Sequence, residues 1–208
     1  VTPERTPWLA EAMRCLGLPA RPVFTLREVP ALRFRRIWVA NEFDAEGFIH
    51  PAFLPDIRAL PGPVGIPGHR LYVSRLLSTN YRPTYRVMTN EAEVEALARR
   101  RGFQVVYPET LDFVEQARLF AGAAAIIGPS GSGMLNAIFA PAGAKVATLE
   151  SFNFTVRQHA KINVSTGKRY SYAFGRAVPG DLSPPPFRNW SIPLDRVERL
   201  FDWLDTPG

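Results

Sequence analysis

Residues 123–150, AAAIIGPSGSGMLNAIFAPAGAKVATLE, constrain the fold more than any other stretch of this 208-residue chain. An apolar run, Ala123–Ile127, enters a glycine-rich turn, Gly128-Pro129-Ser130-Gly131-Ser132-Gly133. A helix is predicted from about Gly131 to Phe139, closed by Pro141-Ala142-Gly143, and a second strand, Lys145–Leu149, ends at the acid Glu150. Strand, turn, helix and strand in this order form a βαβ unit, whose helix N-terminus can hold a phosphate or diphosphate. The turn imitates the opening of a phosphate loop, G-x-x-x-x-G-K-[ST], but Met134 and Leu135 occupy the Lys and Ser/Thr positions. Without an ammonium for the phosphates and a hydroxyl for Mg²⁺, an ATPase or kinase of that type is excluded. The turn keeps exposed N–H groups and a helix dipole, suited to an anion that needs no metal at this point. Gly131 and Gly133 let a diphosphate approach the backbone, or they serve only a tight strand-to-helix connection; the turn alone fits both.

Strands and helices alternate on either side of this unit. Leu71–Ser74 reads as a strand ending at Arg75. Asn90 is expected to cap a helix reaching Arg101, with Glu93 as half of a capping box and Gly102 as the stop. Phe103–Tyr107 is a strand. Leu111–Gly122 is a helix with Phe113, Val114, Ala117 and Phe120 on one stripe, and Glu109, Asp112 and Glu115 crowd its start, where acids suit the dipole. After Glu150 come a helix near Val156–Ile162, a strand at Tyr170–Phe174, a loop at Pro184-Pro185-Pro186 and an amphipathic helix at Pro193–Leu204. Nearer the start, Arg36–Ala40 reads as a strand, and Phe48-Ile49-His50-Pro51 opens a helix running to about Ile57. The alternation predicts an α/β fold, a Rossmann-like parallel sheet with helices on both faces. The Gly/Pro-rich run Pro61–Gly68 is the expected boundary, dividing the chain into residues 1–62 and 63–208.

The net charge of +6 suits a nucleotide, a sugar phosphate or an anionic membrane surface without choosing among them. Aromatic and basic residues do not interleave as in a nucleic-acid-binding module, so nucleic acid is not an expected partner. The lone Cys15 forbids an internal disulfide and a cysteine-based zinc site, and His50, His69 and His159 are too scattered in sequence to suggest a metal centre. No metal is expected. No apolar run is long enough to span a bilayer. Arg75 and Glu150 both fall at the C-terminal ends of predicted parallel strands, the edge where ligands bind in open α/β sheets. There Arg75 suits bidentate phosphate binding, with Arg86 as a second candidate, and Glu150 suits ribose hydroxyls. The bland alternatives are a surface arginine and a solvated loop acid.

Several of these pieces occur in an order that resembles glycosyltransferase family 61. They are Phe48-Ile49-His50-Pro51; Leu71-Tyr72-Val73-Ser74-Arg75; Arg86 with Asn90-Glu91; Gly102-Phe103 with Val105-Val106 and Pro108-Glu109; Glu115-Gln116 with Leu119-Phe120; Ile126–Gly133 with Asn136; and Phe139-Ala140-Pro141 with Gly143. The resemblance runs from about Phe48 to Glu150 and implies a GT-B architecture, with the active site between two Rossmann-like domains. Residues 63–208 would then be the nucleotide-sugar-binding domain, and residues 1–62 a remnant of the acceptor-side domain with its linker. It further implies inverting transfer from a nucleotide sugar to a glycan or other hydroxyl acceptor, without an obligatory metal or other cofactor. The setting would be surface or capsular polysaccharide synthesis in a bacterium, in the cytoplasm or peripherally at the inner face of the membrane, with a partner domain completing the cleft. Donor binding would fall to Arg75, Arg86, Ser130, Gly131, Ser132, Gly133, Asn136 and Glu150; Arg75 would stabilise the leaving group, and His50 would be the candidate base. The chain departs from the family's usual G-P-H-G-A-G turn by carrying Ser130 for the histidine and Ser132 for the alanine. That departure keeps an alternative open, a non-catalytic nucleotide- or sugar-binding module.

Overall fold

The computed structural model describes residues 11, 13–15, 17, 33, 35–36, 54–60, 68–77, 86–152, 157–184 and 187–207. The main sheet has five strands: β1 (His69–Val73), β2 (Gln104–Val106), β3 (Ala123–Pro129), β4 (Lys145–Glu150) and β5 (Arg169–Phe174). All are parallel, in the order β2-β1-β3-β4-β5. The helices are α1 (Leu54–Ala59), α2 (Glu91–Arg100), α3 (Phe113–Ala121), α4 (Arg157–Ser165) and α5 (Leu194–Asp205), with a 3₁₀ helix at Ser132–Phe139. The expected Rossmann-like α/β fold is therefore present.

The strands are apolar on both faces because each face is covered, and alternate residues divide between two cores. Tyr72, Ile127, Ala147 and Leu149 face α2 and α5, where Val94, Leu97, Val197, Leu200 and Phe201 meet them. Leu71, Val73, Ile126 and Val146 face α3 and the 3₁₀ helix through Ala117, Phe120, Met134, Ala137 and Phe139. Ile57 and Leu60, at and just after α1, pack against the second core. Asp112 and Glu115 do more than favour a dipole: each side chain accepts the other's backbone N–H, a complete capping box at the start of α3.

Three local expectations change. Asn90 makes no side-chain cap on α2. Its amide instead donates to the Ile192 carbonyl at 2.8 Å, and its carbonyl accepts the Ile192 N–H at 3.1 Å, so it laces α2 to the entry of α5. The segment after the glycine-rich turn is 3₁₀ rather than α-helical. A small antiparallel pair, β6 (Arg176–Ala177) with β7 (Trp190–Ser191), was not evident in the sequence; its Trp190 is buried against Gly175, where a Cβ would lie 2.4 Å from the indole. The strand at Arg36–Ala40 (Arg36 apart), the helix opening at Phe48–Pro51 and most of the Pro61–Gly68 linker lie outside the described residues.

Gly128 sets the closeness of β3 to the end of β1. A Cβ there would sit 2.4 Å from the Val73 carbonyl oxygen and 3.0 Å from the Val73 Cβ. Backbone cannot yield as a flexible side chain can, so Gly128→Ala should lower stability by about 1–3 kcal/mol in urea unfolding. Unchanged stability would show that the two strands can part.

Candidate functional site

β1 and β3 are neighbours, but the chain leaves them in opposite directions, β1 toward β2 and β3 toward β4. Such a switch in strand order is where doubly wound sheets form a ligand crevice, at the C-terminal edge. Ser74 and Arg75 follow β1, and Ser130–Gly133 follow β3, so the strand order brings together residues 55 positions apart.

The β1 side is fixed by Glu91, the first residue of α2. Its Oε1 accepts the Arg75 backbone N–H at 2.6 Å and the Ser74 hydroxyl at 3.3 Å. The Ser74 hydroxyl oxygen in turn accepts the Leu76 N–H at 3.2 Å. From this fixed backbone the Arg75 side chain lies across Gly131, its Nε 3.3 Å from where a Cβ would be. Arg75 Nη1 donates to the Ser130 carbonyl at 3.1 Å, and Arg86 Nη2 reaches the same oxygen at 3.4 Å. Arg86 is buried and has φ 51°, a left-handed conformation that costs a non-glycine residue about 1 kcal/mol. Its own N–H is held by the Phe187 carbonyl at 3.2 Å.

The β3 side is a turn in which the carbonyls of Ser130 and Gly131 are both engaged. Ser130 is buried and its N–H donates to the Leu149 carbonyl at 2.9 Å, continuing the strand pairing. The Gly131 carbonyl accepts the Met134 N–H at 3.1 Å and His159 Nε2 at 3.1 Å. The N–H groups of Gly131, Ser132 and Gly133 make no backbone hydrogen bond among the described residues, which is the usual state of the first donors of a helix. Gly133 is closely packed, with Pro108 and Val73 side-chain atoms each 3.2 Å from a would-be Cβ, while Ser132 is exposed. Two guanidinium groups thus meet the turn that opens the 3₁₀ helix, and both they and the helix's first N–H groups are of the kind that bind small anions.

Other candidates sit differently. The Asn136 amide donates to Gln116 Oε1 at 2.7 Å, and Gln116 in turn donates to the carbonyls of Pro108 and Leu111, so Asn136 ties the 3₁₀ helix to α3. Glu150 is fully buried, with Oε1 3.8 Å from His159 Nδ1; a ribose contact would need that carboxylate to be uncovered. His50 lies outside the described residues. Among the described residues no three His, Cys, Asp or Glu side chains gather, and no helix is long and apolar enough to cross a membrane.

Sequence reasoning missed two residues here. Glu91 looks like an ordinary first-turn acid, and His159 like one scattered histidine; only the tertiary structure shows that both are buried against the crevice-forming segments. Burial pushes the Glu91 carboxyl up from its ordinary 4.5 to about 7, against the opposing pull of the Arg75 N–H and guanidinium and the Ser74 hydroxyl. Burial, with Glu91 and Glu95 adding to it, also raises the Tyr72 phenol well above its usual range.

A doubly wound parallel sheet with a glycine-rich turn at its switch point defines a Rossmann-like α/β class of domain. The chain belongs to glycosyltransferase family 61: the family model described as Glycosyltransferase 61 matches residues 7–147, more than half of the chain. The match takes in β1 to β3, the glycine-rich turn and the 3₁₀ helix, and stops within β4, before Glu150 and His159. No curated protein matches the chain in sequence. Family membership makes the general activity glycosyl transfer.

Glu91 generates a pH prediction. The folded state holds a proton on this carboxyl up to about pH 7, whereas the unfolded chain releases it near 4.5. The folded state binds more protons in that window, so this group's contribution to stability falls as pH rises from about 4.5 to about 7. Glu91→Gln keeps an acceptor for the Arg75 N–H and should remove that decline, gaining on the order of 3 kcal/mol relative to wild type above pH 7. Denaturant titrations from pH 4 to pH 8 check it; parallel curves for the two proteins would be the contrary result.

Proposed function

We propose that this chain binds the diphosphate of a nucleotide-sugar donor in the β1/β3 crevice and serves inverting transfer of the sugar to an acceptor hydroxyl. The acceptor oxygen bonds to the anomeric carbon as the bond from that carbon to the diphosphate oxygen breaks, and the acceptor proton goes to a base. Negative charge grows on the leaving diphosphate, so preorganised donors aimed there lower the barrier most. The N–H groups of Ser132 and Gly133 and the guanidinium group of Arg75, with Arg86 beside it, are assigned that role. The observation behind the assignment is the convergence of Arg75 and the turn, from separate strands, at the switch in strand order. His50 is the proposed base. Since the assigned donors come from backbone and arginine, the transfer is proposed to need no metal. The cellular setting proposed is surface or capsular polysaccharide synthesis in a bacterium, in the cytoplasm or at the inner face of the membrane, with residues 1–62 belonging to the acceptor side of a GT-B enzyme.

Ser130 offers no cationic side chain where the family's usual turn has a histidine, which favours a second reading, a binding module without turnover. Calorimetric titration with UDP, GDP and CDP in EDTA tests binding first. One of them should bind, and Arg75→Ala should weaken it roughly 10- to 100-fold, the loss expected for a charged hydrogen bond. Equal affinity in Arg75→Ala would refute the phosphate assignment. Hydrolysis or transfer of the matching nucleotide sugar, absent with the binding intact, would make the chain the module.

A further inference from the structure

We propose that His159 is a positioning residue of the glycine-rich turn, fixing the direction in which the turn's N–H groups point; the ligand half of this inference rests on the donor-diphosphate reading above. His159 stands on α4, which neither borders the crevice in sequence nor falls within the span matched by the family model. Its side chain is buried at 1% exposure, and Nε2 lies 3.1 Å from the Gly131 carbonyl oxygen. A carbonyl only accepts, so Nε2 carries the proton. The other ring nitrogen, Nδ1, faces Glu150 Oε1 at 3.8 Å, longer than a hydrogen bond. The backbone beneath the ring is fixed as well: the His159 carbonyl accepts the Asn163 amide at 2.7 Å.

The consequence follows from peptide geometry. In a trans peptide the C=O and N–H point in opposite directions, and the described chain contains no cis bond. Drawing the Gly131 carbonyl inward to His159 therefore turns the Ser132 N–H outward, where Ser132 is exposed. Arg75 and Arg86 act in the same way on the preceding peptide: they hold the Ser130 carbonyl, which turns the Gly131 N–H away from them. Three side chains from three segments thus set two successive peptide planes. Met134 N–H alone also reaches the Gly131 carbonyl, but it belongs to the same local turn and moves with it. His159 is the anchor from outside. A glycine at 131 has the widest conformational choice of any residue, so an outside anchor matters most there.

The test uses the full chain with His159→Gln, whose side-chain amide can still donate to the carbonyl, and His159→Leu, which fills the space without a donor. In wild type, long-range ¹H–¹⁵N spectra of the imidazole should show a proton on Nε2, with that nitrogen hydrogen-bonded. Titration with UDP, GDP and CDP should give His159→Leu an affinity roughly ten-fold below wild type for whichever nucleotide binds, with His159→Gln restoring most of it. In a transfer assay the loss should fall on KM for the nucleotide sugar and on kcat together, since the same donors bind the diphosphate in the ground state and more strongly as its charge grows in the transition state. An Nε2 without a proton, or full affinity in a folded His159→Leu, would overturn the inference. Failure of His159→Gln to bind better than His159→Leu would equally overturn it, by reducing His159 to a space-filling role. If folded wild type binds none of the three nucleotides, the donor reading falls and the ligand half of this inference with it, while the imidazole spectrum still decides whether His159 holds Gly131.

Discussion

The crevice depends on how closely the end of β3 can lie against the end of β1. Nothing larger than hydrogen fits at Gly128, because the Val73 carbonyl occupies the space a side chain would take. That contact lets the turn after β3 settle beside Ser74 and Arg75, within reach of a guanidinium on its first carbonyl. The Met134 sulfur lies 3.1 Å from the same would-be Cβ, and Met134 anchors the 3₁₀ helix in the core, so the turn's helix packs into the same tight contact. A wider spacing of the strands would leave Arg75 pointing at water.

Around this contact, the elements farther along the chain act as braces. Glu91 holds the exit of β1, Asn90 beside it holds the entry of α5, and Trp190 bridges to Met88 while packing on Gly175. The first residues of α2 therefore connect the crevice to the C-terminal third of the chain. A buried acid beside an arginine backbone is an unfavourable arrangement by burial alone. Here it is tolerated because two donors converge on one oxygen and because the group keeps its proton to about neutral pH. The glycosyltransferase family match covers the crevice residues from both strands but not α4 or α5, which complete the support behind them.

The sheet and the segments at its C-terminal edge were legible because their signals are local. Apolar runs such as Ala123–Ile127, the glycine-rich turn after them and the acid at Glu150 each mark one element, and alternation with helices implies the parallel arrangement. The meeting of Arg75 with Ser130 was legible only as far as both follow strand ends; that β1 and β3 adjoin is a property of strand order, which no single segment encodes. Asn90 shows the limit from the other side. Its type and position match a helix cap, yet a better pair of hydrogen bonds was available on Ile192, about a hundred residues away. His159 and Glu91 were illegible as site residues for the same reason, since burial against a distant turn leaves no trace in spacing. Nor did spacing reveal the 3₁₀ geometry after Gly131, where Gly133 packs closely against Val73 and Pro108.

Several cations among the described residues donate to main-chain carbonyls. Arg75 and Arg86 grip Ser130, Arg196 grips Phe174, Arg188 grips Ser183, Lys168 reaches Ile138, and Lys145 gathers Trp203, Leu204 and Thr206 at the end of α5. A carbonyl fixes where a cation sits. Across the sequence the basic residues outnumber the acidic ones by six, and the resulting field draws anions toward the protein before any contact is made and weakens in dissolved salt over about 10 Å.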